Sequence, residues 1–269
     1  MPEIADAPTP EDAHPPTGAT LVRAPNPGPM TLDGTNSWVL RGPGARRSVV
    51  VDPGPTDAAH LARLAEGGVE LVLVTHRHPD HTEAVDAFAE LTGAPVRAVD
   101  PAWCRGADPL ADGERLGAGG FDLEVLATPG HTSDSACFAL RRPDAAQPVA
   151  VLTGDTVLGR GTTIIAHPDG ALGPYLDALR RLRAIGAGTG AVTVLPGHGP
   201  VRPDLEAICD AYLAHRAERL EQVRGALDRL GADASAEAVT DAVYGDVDAG
   251  VRFAAEASVR AQLAYLRGE

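Results

Sequence analysis

The sequence of 269 residues contains no lysine, so arginine supplies all 23 of its basic residues. This absence excludes mechanisms that need a lysine amine, including Schiff-base formation, a P-loop lysine and a Ser-Lys dyad. Aromatic residues make up only 4% of the chain. Stacking platforms for single-stranded nucleic acid are therefore scarce.

Cysteine and long apolar runs are also lacking. Cys104, Cys137 and Cys209 are an odd number without close spacing, so neither a disulfide nor a thiolate zinc site is expected, and a reducing cytoplasm fits best. No window holds the roughly eighteen apolar residues of a membrane span. The N-terminus has no basic segment followed by an apolar one, which predicts no signal peptide.

The net charge is -14, from 23 arginines against 37 acidic residues. Such a field repels nucleic acid and anionic membranes unless a local patch overrides it. We therefore expect a small-molecule or phosphodiester substrate and no membrane partner, with nucleic acid disfavoured by charge. An anionic substrate would need a local cationic attractor.

Composition divides the chain into three parts. Residues 1–19 hold five prolines among Ala, Asp and Glu, which predicts a disordered tail. Residues 20–203 contain short β-branched runs broken by Gly and Pro, with helical spacing at 57–66, 82–91 and 173–185. The runs that predict strands are 37–40, 48–51, 69–75, 95–99, 121–127, 137–140, 149–152 and 191–195. Many short strands with intervening helices predict a layered α/β or α+β domain.

The last part, residues 204–269, has a helical pattern throughout. It predicts helices over 204–230, 235–243 and 251–267, with Gly231 and residues 245–250 as breaks and Ser235 in an N-cap region. Seven arginines face twelve acidic residues in 205–269, so this appendage is itself acidic.

The strongest local signal is His76-Arg77-His78-Pro79-Asp80-His81, at the end of the apolar run 69–75. In a chain leaving a strand, His76 and His78 project to the same side, so both imidazoles can reach one metal ion. Pro79 ends the extension, and the pattern predicts Asp80 at a helix N-cap and His81 turned toward a second position. The alternative is a histidine-rich loop without metal.

Three further segments combine an apolar strand, a glycine turn and a ligand-type residue: 128–131, 153–156 and 196–199. A fourth, 51–54, follows the same pattern without an assigned ligand. Glycine beside a ligand lets the backbone approach a crowded centre. Each segment alone is a weak signal, but with the histidine motif they supply five His and two Asp. That set is large enough for two metals that share a bridging ligand.

With these motifs the chain resembles the metallo-β-lactamase fold superfamily over roughly residues 20–203. The resemblance implies an α+β fold, a four-layer αββα sandwich with its metals at one edge of the paired sheets. Carried over residue by residue, it implies a first metal site of His76, His78 and His131, a second of Asp80, His81 and His198, and Asp155 as the bridge. True β-lactamases of this fold generally lack the bridging aspartate, so antibiotic hydrolysis is not expected.

Residues 26–36, 159–163 and 196–200, with the helical tail, resemble more closely one branch of that superfamily. It includes a mitochondrial single-strand endoribonuclease, and hydroxyacylglutathione hydrolases also keep the bridging aspartate. Members of the branch end in a small winged-helix domain, so residues 204–269 are expected to be winged-helix-like. Two departures stand out: Glu83-Ala84 replaces the usual glycine pair, and the sequence stops where a wing hairpin would begin.

Imidazole and carboxylate ligands without thiolate suit zinc, and also iron or manganese. We therefore expect two divalent ions, with zinc first. The resemblance implies a dinuclear hydrolase that uses a bridging hydroxide on an ester, thioester or phosphodiester, with Asp80 able to orient that hydroxide. The alternatives are a single-strand endoribonuclease, an iron-dependent persulfide dioxygenase, which shares the fold, and a non-catalytic protein that the metal stabilises.

Arg77 and Arg160 are the candidate substrate-binding residues. Arg77 lies between two predicted ligands, and Arg160 lies in a glycine-rich loop just after Asp155. A guanidinium in either place could bind a phosphate or carboxylate. The alternative for Arg77 is a solvent-facing side chain or an ion pair with an acid such as Glu83.

Overall fold

In a computed structural model that describes residues 13–187, 191–245 and 249–268, ten strands form two five-stranded mixed sheets. The first sheet has the order β1 (Ala19–Arg23), β2 (Asn36–Leu40), β3 (Ser48–Val51), β4 (Val69–Leu73) and β5 (Val96–Arg97). The second has the order β10 (Thr193–Pro196), β9 (Ala150–Gly154), β8 (Ala136–Arg141), β7 (Phe121–Ala127) and β6 (Arg115–Ala118). Neighbours are parallel for β3–β4, β4–β5 and β9–β10 and antiparallel elsewhere.

Seven α-helices accompany the sheets in the described residues: α1 (Ala58–Leu64), α2 (Pro79–Thr82), α3 (Val85–Thr92), α4 (Leu172–Gly186), α5 (Leu205–Leu230), α6 (Ala236–Tyr244) and α7 (Arg252–Arg267). Side chains that accept a backbone N–H cap three of them, Asp57 for α1, Asp204 for α5 and Ser235 for α6. Such a cap satisfies one of the amide groups left free in the first turn. The N-cap predicted at Ser235 is confirmed.

Alternation along the strands places apolar side chains on both faces of each sheet. In β3, Val49 and Val51 face the opposite sheet, whereas Val50 packs under α1 and α3. In β9, Leu152 belongs to the core between the sheets and Val151 to the core beneath α4 and α5. The result is the four-layer αββα sandwich that the resemblance implies, and the α+β fold class is confirmed.

The structure corrects several local predictions. The helix predicted over 82–91 corresponds to α3, but it begins only at Val85, because α2 ends at Thr82 and Glu83 and Ala84 lie between the two. Asp80 is not an N-cap, because His78 takes that place and Pro79 begins the helix. Residues 1–12 of the expected tail lie outside the described residues, but Ala19 is buried and opens β1.

The three C-terminal helices pack on the sandwich and on one another. Leu205, Ile208 and Tyr212 of α5 share the apolar cluster of α4, while Val223 of α5 packs with residues of α6 and α7. A helical appendage is therefore present, and the described residues after Leu230 contain no strand. Within the described part of the chain, no helix combines the length and the apolar character that crossing a membrane requires.

Four strands end at the same edge of the sandwich, and each is followed by a predicted ligand. His76 follows β4, His131 follows β7, Asp155 follows β9 and His198 follows β10. Because side chains just beyond strand ends lie outside the ladder of backbone hydrogen bonds, this edge can present them to one site.

Candidate metal centre

The predicted ligands converge into three overlapping groups, and within each group the candidate ligand atoms lie within 4.8 Å of one another. The groups are His76, His78 and His131; His76, His81 and Asp155; and Asp80, His81 and His198. The seven residues therefore surround one continuous site rather than several separate ones.

The first group is built from the strand-end motif and the turn after β7. His76 Nε2 and His131 Nε2 each lie 3.0 Å from His78 Nδ1. The rings of His76 and His131 are buried, and that of His78 is partly exposed. As the spacing predicts, His76 and His78 face the same point.

The second group joins α2 to the end of β10. His198 Nε2 lies 3.3 Å from His81 Nε2 and 3.1 Å from Asp80 Oδ2. His81 Nε2 is 3.2 Å from the same Asp80 oxygen. Asp80 and His81 therefore turn toward His198, as expected for a second position.

Asp155 lies between the two groups. Its Oδ1 is 3.5 Å from His81 Nε2, and its Oδ2 is 3.4 Å from His198 Nε2 and 3.8 Å from His131 Nε2. One carboxylate thus faces ligand nitrogens of both groups, which is the placement that a bridging ligand needs.

The outward-facing ring nitrogens of three histidines have fixed partners. His76 Nδ1 lies 3.0 Å from the Thr75 hydroxyl, and His131 Nδ1 lies 2.7 Å from the Ile164 carbonyl oxygen. His198 Nδ1 lies 3.3 Å from the Gly34 carbonyl oxygen. Such partners fix the orientation of a metal-binding imidazole and direct its other nitrogen to the site.

For His81 the corresponding partner is Asp52, a residue in the segment 51–54 to which the sequence pattern assigns no ligand. Asp52 Oδ2 lies 2.8 Å from His81 Nδ1 and accepts a hydrogen bond from the Thr75 hydroxyl at 2.7 Å. Asp52 Oδ1 accepts the Thr75 amide N–H at 2.7 Å. The segment 51–54 carries the same turn pattern as the ligand segments, so that pattern was the available signal.

Two residues of the branch motif also support the site. The Thr35 hydroxyl donates to Asp80 Oδ2 at 3.0 Å, and Asn26 in turn contacts Thr35 through both its side-chain polar atoms. Asn36 donates to the carbonyl oxygens of Pro196 and Gly199, on either side of His198. Hydrogen bonds from residues 26–36 therefore fix the positions of Asp80 and of the backbone around His198 in the second group.

Glycine is required at two of the ligand turns. A Cβ on Gly197 would lie 2.5 Å from Asp155 Oδ1, and one on Gly130 would lie 2.4 Å from the Tyr175 Cα. Both distances are far inside van der Waals contact, so any larger residue would displace the site or α4. This confirms the expectation that glycine lets the backbone approach a crowded centre.

Burial keeps the first group neutral. It lowers the pKa of His76, His78 and His131, because loss of hydration disfavours the imidazolium form. Nearby histidines lower these pKa values further. Neutral imidazole is the form that binds a metal ion, so these rings are ready ligands at neutral pH.

Carboxylates dominate the second group. Burial opposes protonation of His198, but Asp155 and Asp80 together outweigh it and raise the pKa of His198 to about 9. Burial likewise opposes the charged form of His81, yet Asp80 and Asp52 raise its pKa well above the usual value. Burial opposes ionisation of Asp80 and Asp155 too, but the facing imidazoles hold both carboxyl pKa values well below the usual range. This is a cluster that attracts positive charge.

The donor set fits metal ions. Imidazole nitrogens face one another at 3.0 Å in the first group, and Asp155 Oδ1 is buried without accepting a hydrogen bond from any described residue. Buried polar atoms normally have partners. Bound divalent cations would give these imidazole nitrogens and the Asp155 oxygen the partner that they lack. Three imidazoles on one side and two imidazoles with a carboxylate on the other are ligands of zinc, iron or manganese.

The structure places both predicted substrate-binding arginines in ion pairs at the rim. Arg77 Nη2 lies 2.5 Å from Asp169 Oδ2, so its partner is an acid other than the suggested Glu83. Arg160 Nη2 lies 3.2 Å from Asp33 Oδ1. In each pair the carboxylate offsets the positive charge that a substrate anion would otherwise meet.

Residues 30–198 match the family model described as the metallo-beta-lactamase superfamily. A curated relative, a beta-lactamase-like protein 2 homolog of Caenorhabditis elegans, is 30% identical over 261 residues, which cover 92% of this chain and 83% of that protein. An atrochrysone carboxyl ACP thioesterase of Aspergillus fumigatus is 33% identical over 252 residues, covering 84% of this chain and 73% of that protein.

A lactamase-like protein of Penicillium aethiopicum, vrtG, is 34% identical over 215 residues, and the match covers 77% of this chain but 65% of that longer protein. Among solved structures, a metallo-beta-lactamase family protein of Thermus thermophilus superimposes with a TM-score of 0.74 and 26% identity. That match covers 93% of both chains, so it extends into the C-terminal helices.

Proposed function

The chain belongs to the metallo-β-lactamase superfamily, and we propose that it is a dinuclear metal hydrolase acting on an ester, thioester or phosphodiester, with thioesters and carboxylic esters first. The observation that carries this proposal is the position of Asp155. Its two oxygens face His81 on one side and His198 and His131 on the other. A carboxylate that faces ligand nitrogens of both groups is placed where a ligand shared by two ions would lie.

We assign His76, His78 and His131 to one ion and Asp80, His81 and His198 to the other, with Asp155 shared, and we propose zinc as the metal. When bound, two such cations would polarise a substrate carbonyl or phosphoryl oxygen and lower the pKa of a water molecule. The protein's own contribution is to hold these side chains in place before substrate arrives.

Asp80 is the residue that we assign to orienting the attacking water. The Thr35 hydroxyl fixes one of its oxygens, and facing imidazoles keep it ionised. An ionised, fixed carboxylate can accept a hydrogen bond from water and direct a lone pair at the substrate.

Two observations favour a carbonyl substrate over a phosphodiester. Both arginines at the rim are already paired with carboxylates, and the whole chain carries a charge of -14. The Aspergillus fumigatus relative is an acyl-carrier thioesterase by name, which supports the same chemistry. For a single-strand endoribonuclease, the acidic surface is unfavourable.

The persulfide dioxygenase alternative predicts one iron and a single ligand group. The complete second group of Asp80, His81 and His198 favours two ions instead. A winged-helix form of residues 204–269 also stays a proposal, because the helices α5, α6 and α7 are present but the wing strands are not seen in the described residues.

The test is a panel of substrates offered to metal-replete protein: a thioester, a carboxylic ester, a lactone, a bis-aryl phosphodiester, a cephalosporin and single-stranded RNA. We expect hydrolysis of the thioester and ester, no turnover of the cephalosporin, and loss of activity on chelation. Asp80→Ala should abolish turnover while circular dichroism shows that the variant keeps the fold of the parent. Metal-replete protein that hydrolyses nothing, or an Asp80→Ala variant with unchanged activity, would contradict the proposal.

A further inference from the structure

A cleft of about 250 Å³ adjoins the metal centre. His131 and Asp155 line its end at the metal centre; Pro29, Met30 and Leu32 form one wall, and Leu158 with residues 160–164 forms the other. Because two predicted metal ligands line it, a substrate group next to the reacting bond would lie in this cleft.

The lining is mainly apolar. Its hydrocarbon surface comes from Pro29, Met30, Leu32, Leu158 and Ile164. Met30 is 47% exposed, which is a large exposure for an apolar side chain beside a polar site. Water in contact with this surface would be released when an apolar group binds, so the cleft favours hydrocarbon.

The first wall is held in an unusual backbone conformation. Leu32 has a φ of 54°, in the left-handed region that leucine rarely adopts. Hydrogen bonds fix the turn around it, from Gly28 N–H to the Leu32 carbonyl oxygen at 3.1 Å and from the Thr31 hydroxyl to the Asn26 carbonyl oxygen at 2.6 Å. Strain of this kind persists where the surroundings over-determine it, and it concentrates at binding sites.

The second wall is fastened to α5. The Tyr212 hydroxyl accepts the Leu158 N–H and donates to the Gly161 carbonyl oxygen, both at 3.0 Å. Arg216 donates to the Thr163 carbonyl oxygen, and the Thr163 hydroxyl donates to the Asp155 carbonyl oxygen at 2.7 Å. The cleft is therefore preformed between two fixed loops.

Arg160 is the one cationic side chain among the described residues that line the cleft, and it is paired with Asp33. A charged or amide-rich group placed here would lose hydration without gaining enough partners. The thiol or alcohol half of a biological ester often carries such groups, whereas an acyl chain can be wholly hydrocarbon.

We propose that this cleft binds the hydrocarbon chain of the acyl group, and that the protein prefers thioesters or esters of medium-chain acids over acetyl esters. The inference rests on the proposed hydrolase function, because it assumes that the carbonyl carbon lies at the metal centre. Each buried methylene is worth roughly a fourfold increase in kcat/KM. From acetyl to hexanoyl, four methylenes should therefore raise kcat/KM by at least about tenfold, allowing for incomplete burial.

The experiment measures kcat/KM of the full-length, metal-replete protein on acetyl, butyryl and hexanoyl thioesters of N-acetylcysteamine. A parallel series of acetyl esters places the same added methylenes in the alcohol half. Calorimetry with thioether analogues that lack the scissile bond measures the chain-length effect on Kd without turnover. We expect both kcat/KM and affinity to rise with acyl length and to change little with alcohol length.

Two variants and one control test the walls. Leu32→Asn removes apolar surface at a residue whose left-handed φ asparagine tolerates, and Met30→Ser changes a half-exposed side chain. Each should lower the hexanoyl-to-acetyl ratio of kcat/KM by at least about threefold. That effect is slightly smaller than the roughly fourfold contribution of one fully buried methylene. Leu91→Asn, on α3 at 57% exposure and away from the cleft, should leave the ratio unchanged.

The outcomes separate the two claims. If no thioester is hydrolysed but the thioether analogues still bind more tightly with each methylene, the hydrolase function fails and the apolar cleft stands. If hydrolysis is present but acyl length changes neither kcat/KM nor Kd, the acyl-binding inference is overturned. A dependence on alcohol length alone, or equal ratios in the Leu32, Met30 and Leu91 variants, would overturn it as well.

Discussion

Asp52 shows how one buried side chain organises the metal centre. It lies in the left-handed region with a φ of 55° and is 1% exposed. Its carboxylate holds the Thr75 amide and hydroxyl at one end of the histidine motif and the His81 ring at the other. Asp52 therefore sets the orientation of the first and last parts of that motif together.

Asp52→Asn should weaken the site without unfolding the chain. Asparagine has nearly the same shape and tolerates a positive φ. Only one of its two terminal side-chain atoms is an oxygen that can accept a hydrogen bond, so either Thr75 or His81 loses its partner. Loss of such a support typically costs about 10–100-fold in metal affinity or activity. Metal titration and kcat/KM of the variant measure this.

The matched control is Asp177→Asn, which makes the same substitution in an exposed ion pair on α4. It should leave metal affinity and activity at the parent level. Equal behaviour of the two variants would show that Asp52 does not orient His81.

At this scale the sequence predicts ligands better than their supports. The spacing in 76–81 is local, so the convergence of His76 and His78 could be predicted from one strand end. The role of Asp52 depends on the pairing of β3 with β4, where Val51 is the partner of Leu73. That register brings together residues more than twenty positions apart, and no local pattern specifies it.

Among the elements, α5 connects the C-terminal helices to the cleft. Tyr212 is fully buried, and its hydroxyl bonds to the backbone at Leu158 and Gly161. Arg216, one turn further along, bonds to the backbone at Thr163 and stacks over the Tyr175 ring at 5.2 Å. The appendage thus holds one wall of the candidate substrate cleft.

Tyr212→Phe should destabilise the protein by about 1–2 kcal/mol, since it removes two hydrogen bonds, to the partly buried Leu158 N–H and Gly161 carbonyl oxygen. The loop 158–164 should also loosen, which would weaken acyl binding more than it lowers turnover of acetyl substrates. Chemical denaturation gives the stability, and KM on hexanoyl and acetyl thioesters gives the second effect.

Tyr265→Phe on α7 serves as the control, because Tyr265 is 41% exposed. It should change stability by less than about 0.5 kcal/mol. If Tyr212→Phe changed the free energy of unfolding as little as Tyr265→Phe, α5 would not anchor the loop 158–164.

Element boundaries show where sequence patterns stop being informative. The runs 48–51 and 121–127 match β3 and β7, since both are apolar on their buried faces. No apolar run indicates strand β6, because its residues alternate between exposed and partly buried. The break between α2 and α3 is also hidden, because 82–91 keeps helical spacing through Glu83 and Ala84.

At the scale of the whole molecule, an acidic chain concentrates its metal ligands at one edge. Asp80 and Asp155 lie among five histidines where four strand ends meet. A ligand that binds only the folded state raises the free energy of unfolding by an amount that grows with the logarithm of its concentration divided by its Kd. Bound metal should therefore add to the stability of the sandwich as well as supply its chemistry.

Elemental analysis of the purified protein, paired with thermal unfolding before and after chelation, shows whether the seven converging side chains hold two metal ions. We expect about two divalent transition-metal ions per chain, with zinc as the main element, and a lower Tm with loss of hydrolysis once they are removed. Asp155→Ala should retain fewer ions than the parent. Protein that holds no tightly bound transition metal and unfolds at the same temperature with and without chelator would contradict the account.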